Sequence, residues 1–281
     1  MSAARASLSI GVAIGAVGAD ARWWLESARR LDDAGYSGVW CWDHFVGKGD
    51  PTVPVLEQWT TLAAAAAVTR RIGIGSWVAN VMHRHPAVLA REAATVQGIS
   101  SGRLTLGIGI GGSDRGHHAY GIDFPDPHER AARLEEAVAV IRALWTGGPV
   151  TRPGRYYRLE GAVAFPRQEP IPRILVGGGT PAGVRLAARI GDGWAAESPG
   201  YEHLRGRYLE ALAGTGRSRA DVRIVVGFGG GRTGVDALAG SPWILARAET
   251  TARWSELDVD EVVLTARTQA DIDGLVAAGE R

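Results

Sequence analysis

Two neighbouring residues, Asp43 and His44, offer the most direct acid–base chemistry in this sequence. A histidine titrates near neutrality and can lend or take a proton while hydrogen is moved elsewhere. The pair follows an apolar run, Gly38–Trp42, so His44 reads as the proton carrier and Asp43 as the residue that orients its loop. A structural histidine bonding the rim of a sheet is the plainer alternative. Gly177-Gly178-Gly179-Thr180-Pro181 offers a different chemistry. Glycines let backbone N–H groups approach an anion, and a helix start adds partial positive charge. Thr180 would then cap the helix or donate to a phosphate oxygen; a tight strand-to-helix turn uses the same residues. Gly107, Gly109 and Gly112 satisfy the spacing G-x-G-x-x-G. A dinucleotide fingerprint opens a helix at once. Here Ser113, Asp114, Arg115 and Gly116 follow, and a helical pattern returns only near His128. These glycines fit a crowded strand with a cofactor ring nearby better than a pyrophosphate loop.

The other histidines are less informative. His83 and His85 bracket Arg84, and His85 reads as packing. His117 and His118 sit in a segment that reads as a mobile loop within reach of a substrate. No H-E-x-x-H pattern is present, and Asp43–His44 alone is too little for a metal, so no metal site is expected. Of the ten tryptophans, Trp40, Trp42, Trp59 and Trp77 fall near strand ends or an early helix turn, where they wall a planar ligand or simply fill a core.

These residues need a scaffold, and its rhythm is regular. A short apolar run, a glycine or polar loop and a helical pattern alternate along the chain. The strands read as Leu8–Ile14, Gly38–Trp42, Arg71–Val78, Arg103–Ile110, Arg173–Val176, Trp194–Ala196, Val222–Phe228 and Glu261–Thr265. The helices read as Asp20–Ala34, Leu56–Thr69, Pro86–Ile99, His128–Leu144, Thr180–Ile190, Tyr201–Ala213, Pro242–Leu257 and Gln269–Ala278. Alternation of this kind implies a parallel sheet covered by helices. Eight units favour an α/β fold of the closed (β/α)₈ TIM-barrel type, with residues 1–281 as one domain and a short insertion at about 148–172. The insertion reads as a hairpin around Gly154 and Tyr156–Leu159 with a proline-rich return. In such barrels the site is built from the loops that follow the strands. That rule selects the segments already named and adds Glu197 and Ser198 after the sixth strand and Gly229–Arg232 after the seventh.

Bulk properties narrow the partners. The sequence has 281 residues, with 31 basic against 30 acidic side chains and no basic block, so nucleic acid and anionic membrane are unexpected. One cysteine, Cys41, allows no internal disulfide. Arg5 before the run Leu8–Val17 weakly resembles a secretion signal, but three glycines interrupt it and it reads as a first strand. No stretch reaches the ~20 apolar residues of a membrane span. A cytoplasmic protein acting on a small molecule is the expectation.

Several segments, in order, resemble a known family. Gly35-Tyr-Ser-Gly-Val-Trp-Cys-Trp-Asp-His-Phe45 is similar to its second-strand motif ending in Asp-His-Phe. Glu57-Gln-Trp-Thr-Thr-Leu62, Thr69-Arg-Arg-Ile-Gly-Ile-Gly75, His85-Pro86 with Ser100-Ser-Gly-Arg-Leu104, Gly107–Gly111, and Ile174–Thr180 with Ile190-Gly-Asp-Gly-Trp194 follow at matching spacing. The resemblance, good over residues 8 to about 198 and loose beyond, is to the bacterial-luciferase-like superfamily of flavin monooxygenases and deazaflavin-dependent oxidoreductases. It implies a barrel with the cofactor ring at its C-terminal mouth. The cofactor would be coenzyme F420, with FMN as the alternative, and the reaction hydride transfer with a small organic substrate. It implies a non-proline cis peptide at Trp77–Val78 against the ring, with Gly109 and Gly111 near it, and His44 at the reacting face. It places the phosphate at Gly178, Gly179 and Thr180, with Glu197 and Ser198 close by. Relatives often form homodimers, and an FMN-dependent monooxygenase would need a separate reductase. One departure matters: sugar-phosphate dehydrogenases of the family carry a glutamate where this chain has Gly112, and Asp114 is the nearest replacement. Lys48 is the only lysine, so phosphate-binding lysines have no counterpart, and Arg185 or Arg232 would have to serve. A non-catalytic cofactor-binding protein is the reading that the missing acid favours. Substrate and direction stay open.

Overall fold

The computed structural model describes residues 8–47, 50–112, 115–164, 167–229 and 238–279. The strands are β1 (Ser9–Ile14), β2 (Gly38–Cys41), β3 (Gly73–Ser76), β4 (Ala79–Asn80), β5 (Leu104–Gly109), β6 (Val150–Arg152), β7 (Leu159–Ala162), β8 (Arg173–Gly177), β9 (Gly193–Glu197), β10 (Arg223–Phe228) and β11 (Glu261–Ala266). The helices are α1 (Ala21–Asp33), α2 (Gln58–Val68), α3 (Pro86–Ile99), α4 (Arg115–Ala119), α5 (Pro127–Leu144), α6 (Pro181–Ile190), α7 (Ser198–Ala213), α8 (Pro242–Leu245), α9 (Arg247–Glu256) and α10 (Gln269–Gly279). Parallel pairing runs β3-β2-β1-β11-β10-β9-β8-β5, and β5 returns to β3, so eight staves close into a barrel. The third stave has two pieces, because β3 stops at Ser76, the Trp77–Val78 peptide is cis, and β4 pairs with β5 beyond it. Among the described residues no helix is long and apolar enough to cross a membrane.

Register explains how the barrel fills. Partners in a parallel ladder share a face, and the pairs Ala13 with Trp40, Trp40 with Gly75, Gly177 with Ala195 and Gly227 with Val263 all look inward. Two indoles occupy volume that branched aliphatic side chains usually fill. Trp40 and Trp77 meet edge to face at 5.3 Å, amid Ala13, Leu175, Ala195, Val225 and Val263. Glycines on other staves make room for them: a Cβ on Gly75 would run into the Trp40 ring, and one on Gly227 would lie 2.6 Å from Trp77 Cζ2. At the N-terminal end Trp40 Nε1 donates to the buried Glu261 at 3.2 Å, which also accepts from Ser37 Oγ at 2.9 Å and from Arg223 at 2.8 Å. This buried carboxylate therefore has the partners that burial demands.

Outside the barrel the helices bury one face each. Leu134, Val138 and Ile141 of α5 are fully covered, as their spacing predicts. Asp20 caps α1 by accepting from the backbone of Arg22 and Trp23. Asp32, at the other end of α1, takes the backbone N–H groups of Arg70, Arg71 and Ile72 and so sets the entry to β3. Burial pushes its carboxyl up, but those three donors outweigh burial and leave it below its ordinary value. The expected insertion is the antiparallel β6–β7 hairpin. It docks because Glu136 of α5 accepts from Tyr156 N at 3.1 Å and Tyr157 N at 2.8 Å, and Gln97 donates to Pro170 O at 2.6 Å.

Two local readings need correction. The strand expected over Arg71–Val78 is shorter, for the reason given above. The helix expected over Pro242–Leu257 breaks at Ala246 into α8 and α9. In a straight helix Trp243 and Trp254 would stand ~16 Å apart along the axis. Both instead pack on Phe228, at 5.0 and 4.8 Å, which the break permits. Separately, Gly98-Ile99-Ser100-Ser101-Gly102 has the spacing of a nucleophile elbow. It sits at a helix-to-strand turn rather than a strand-to-helix turn, and the buried Ser100 Oγ is engaged by Gln97 O and Arg103 N.

Candidate active site

The C-terminal ends of the staves form the mouth. His44 stands exposed there, its ring 6.1 Å from that of Trp42. Asp43 turns the other way, into the protein. Its Oδ2 accepts from Asn80 N at 2.8 Å and lies 3.2 Å from His83 Nδ1. Arg84 grips both oxygens, at 2.8 and 3.2 Å. Burial alone would push this carboxyl up; the hydrogen bonds of His83 and Arg84 and the charge of Arg84 outweigh it and hold the group well below the usual carboxylate range. Asp43 thus stays ionised and takes no proton at ordinary pH. The adjacent acid and base are not a dyad, because Asp43 anchors the loop that carries His44.

Asn80 extends this anchor. Its Oδ1 accepts from Met82 N at 3.0 Å, which fixes the amide so that Nδ2 is the donor. Nδ2 lies 2.9 Å from Nε2 of both His83 and His117. Both Nε2 atoms therefore accept, which leaves Nδ1 of His83, 3.2 Å from Asp43 Oδ2, as the nitrogen that carries the hydrogen. His117 is buried, with its ring 4.2 Å from Phe124, so it is part of the wall and not of a mobile loop. Gly111 has φ +80° and lies against Asn80, where a Cβ would be 2.7 Å from the amide. The loops after β2, β4 and β5 are thus tied together behind the mouth.

Val78 presents its side chain toward the glycines of neighbouring staves. A Cβ on Gly109 would lie 2.9 Å from Val78 Cγ2, and one on Gly177 3.3 Å from it. The G-x-G spacing on β5 therefore accommodates the step between β3 and β4, not a pyrophosphate. Gly107 is tighter still, since a Cβ there would strike the backbone oxygen of Ser76. Backbone cannot yield as a flexible side chain can, so Gly107→Ala is expected to destabilise the fold by about 1–3 kcal/mol. Thermal melting of the variant checks this; an unchanged transition would count against the packing described.

Across the mouth, Thr180 caps α6 by accepting from Gly183 N at 3.1 Å, and the first turn of α6 holds no acidic residue. Gly178 O accepts the Trp194 indole N–H at 2.8 Å, and its Cα side packs on Gly183. Gly179 is exposed, and a Cβ there would meet nothing within 4 Å. Glu197, at the end of β9, accepts from Trp77 Nε1 at 3.3 Å, and Ser198 begins α7 beside it. Asp114, Lys48 and Arg232 lie outside the described residues. Cys41 is buried, and burial pushes its thiol up, so it offers no nucleophile. The network of Asn80, His83, Arg84 and His117 was not visible in the sequence, where no motif marks contacts across some forty residues.

Residues 6–229 match the family model for luciferase-like monooxygenases. An F420-dependent glucose-6-phosphate dehydrogenase of Beutenbergia cavernae is 37% identical over 199 residues, 68% of this chain and 56% of that protein. An F420-dependent hydroxymycolic acid dehydrogenase of Mycobacterium tuberculosis is 33% identical over 173 residues, 61% of this chain and 48% of that protein. The chain spans about half the length of these curated relatives. An F420-dependent secondary alcohol dehydrogenase, solved in complex with an F420-acetone adduct, superposes with a TM-score of 0.84 at 19% identity, over 98% of this chain and 100% of that one; the likeness is one of fold. With the family model matching most of the sequence over this barrel, the chain belongs to the luciferase-like monooxygenase family.

Proposed function

We propose that this protein is an oxidoreductase that transfers a hydride between coenzyme F420 and a small organic substrate. The observation that carries this reading is the order of three features around the mouth. The anion-ready turn Gly178–Thr180 follows β8, Val78 lies between β3 and β4, and His44 follows β2, with β5 and the β3–β4 stave separating the first from the last. A planar group anchored at the turn and reaching toward His44 must pass Val78. The residues suit such a group. The turn is open, backed by a helix N-terminus, and free of acidic residues in that helix's first turn. Gly109 and Gly177 keep the floor low around Val78.

In this reading Gly178, Gly179 and Thr180 hold the phosphate. Trp77, Val78, Gly109 and Gly111 form the seat of the ring. Glu197 and Ser198 are hydrogen-bonding groups beside it, and the Glu197 carboxylate, an acceptor only, suits hydroxyls and not phosphate. The coenzyme supplies a two-electron hydride carrier. His44 takes the proton that an alcohol loses on becoming a carbonyl, or returns it in the reverse direction. Asp43 keeps the His44 loop in place.

A titration of the protein with coenzyme F420 and with FMN, followed by tryptophan fluorescence, tests the reading. Selective deazaflavin binding supports it. Selective FMN binding would move the protein to the two-component monooxygenases, which a separate reductase supplies. Binding of neither overturns it. Gly179→Asp sharpens the test, because the side chain enters open space yet brings negative charge to the turn. The melting temperature is expected to hold, while the Kd for coenzyme F420 rises about tenfold or more.

A further inference from the structure

We propose that Arg267 is the anion-binding residue of the substrate subsite and that the substrate carries a carboxylate; the word substrate here rests on the function proposed above. Arg267 directly follows β11. Val263 faces the barrel interior, so alternation along the strand puts Thr265 and Arg267 on that same side, at the mouth. Its guanidinium lies over Trp42, 5.5 Å from the ring centroid, and Trp42 neighbours His44. The arginine reaches Trp42 across β1, and Gly15 makes that path: a Cβ there would be 3.3 Å from Arg267 Cγ. The backbone is fixed as well, with Gly15 N donating to Ala266 O at 2.8 Å and Arg267 N to Asp271 Oδ2 at 2.9 Å.

This charge is held in place, and the described residues do not neutralise it. Among the described residues, no carboxylate forms an ion pair with the Arg267 guanidinium. The nearby acids are engaged elsewhere. Asp43 is gripped by Arg84 and His83, Asp271 accepts from the backbone of Leu238, Arg267 and Thr268, and Asp273 pairs with Arg30. Glu197 takes the Trp77 indole from β9, with β10 between its stave and that of Arg267. A guanidinium held over an indole face keeps N–H groups at its edge available as a planar fork. A fork of this kind matches the two oxygens of a carboxylate. One cation suits a monoanion. Its place beside His44, on the far side from Gly179–Thr180, orients a substrate with its carboxylate at Arg267 and its reacting carbon near the imidazole.

The test uses the full chain without coenzyme, with hexanoate and hexanamide as probes and ligand-observed NMR as the readout. The wild type is expected to bind hexanoate at least about tenfold more tightly than the amide, the range of a charge-assisted hydrogen bond. Arg267→Gln is expected to remove the preference with no change in melting temperature, since its side chain is exposed and has no ion pair among the described residues. Arg267→Lys, a point charge without the fork, should retain part of it. Equal binding of the two probes, no measurable hexanoate binding, or an unchanged preference in Arg267→Gln overturns the proposal. Tighter capture of methyl phosphate than of hexanoate overturns the carboxylate assignment. Running the coenzyme titration beside it separates the two ideas. A protein that selects hexanoate through Arg267 but binds no deazaflavin keeps the subsite and loses the redox reading; the opposite result does the reverse.

Discussion

Asp43→Asn is expected to lower the stability of this protein by about 2–4 kcal/mol, the cost of taking from a buried charge its closest partner. That charge is Arg84, whose guanidinium is mostly covered; it loses two hydrogen bonds to Asp43 and keeps the longer contacts to Glu57 and Glu92, at 3.4 and 3.5 Å. For a chain of this size the loss corresponds to a fall in Tm on the order of 10 °C. Its pH dependence identifies the cause. The folded Asp43 carboxyl lies well below its ordinary value, so its contribution is fully present above the unfolded pKa of about 4 and is lost as pH falls through the lower folded value. The difference between wild type and variant should therefore be constant from about pH 5 to 7 and shrink below about pH 4. Denaturant melts at several pH values measure this. A difference that is already small at neutral pH would mean that Asp43 is not the anchor described.

His44→Ala should act on the other side of the same loop and in the opposite way. The side chain is exposed, beside the Trp42 ring at the rim of the mouth. Stability and coenzyme affinity should therefore hold, while turnover of an accepted alcohol or carbonyl falls about 10²–10⁴-fold, the range of a positioned general acid or base. The loss should appear in kcat, and partial rescue by added imidazole would assign it to proton transfer. A variant with full kcat would leave His44 as a rim residue. The two substitutions thus divide adjacent residues into an anchor and a reagent, which stability and kinetics report separately.

The barrel was legible because its signals are local. Helix caps such as Asp20, the apolar spacing along α5, and glycine-bounded apolar runs each act within a few residues. The strand-end rule then placed His44, Gly179, Thr180 and Glu197 at one mouth. The resemblance also gave the cis bond at Trp77–Val78. What stayed hidden depends on contacts between distant segments. Asp43 and His44 look like a pair in sequence, yet a change of direction within the loop sends one into Arg84 and places the other at the exposed rim beside Trp42. His117 looked mobile because nothing in its neighbourhood shows that Asn80 waits behind it. Arg267 carried no motif at all; its meaning comes from Trp42 across β1. The break at Ala246 was equally invisible, since Phe228 is what draws both tryptophans inward.

The two interior tryptophans restrict how this barrel can change. Trp40 fills the space over Gly75 and Trp77 the space over Gly227, so each indole and its glycine form a matched couple on different staves. Enlarging the glycine first meets a rigid ring, and shrinking the ring first opens a void beside a residue with no side chain to fill it. Either order passes through a poorly packed intermediate, although an exchange that keeps the summed volume need not be poor itself. Trp77 also precedes Val78 in the two-piece stave, so any such exchange at Gly227 is coupled to the shape of the proposed ligand seat. The packing of the barrel wall and the chemistry at its mouth are thus genetically linked, and variation in one constrains the path open to the other.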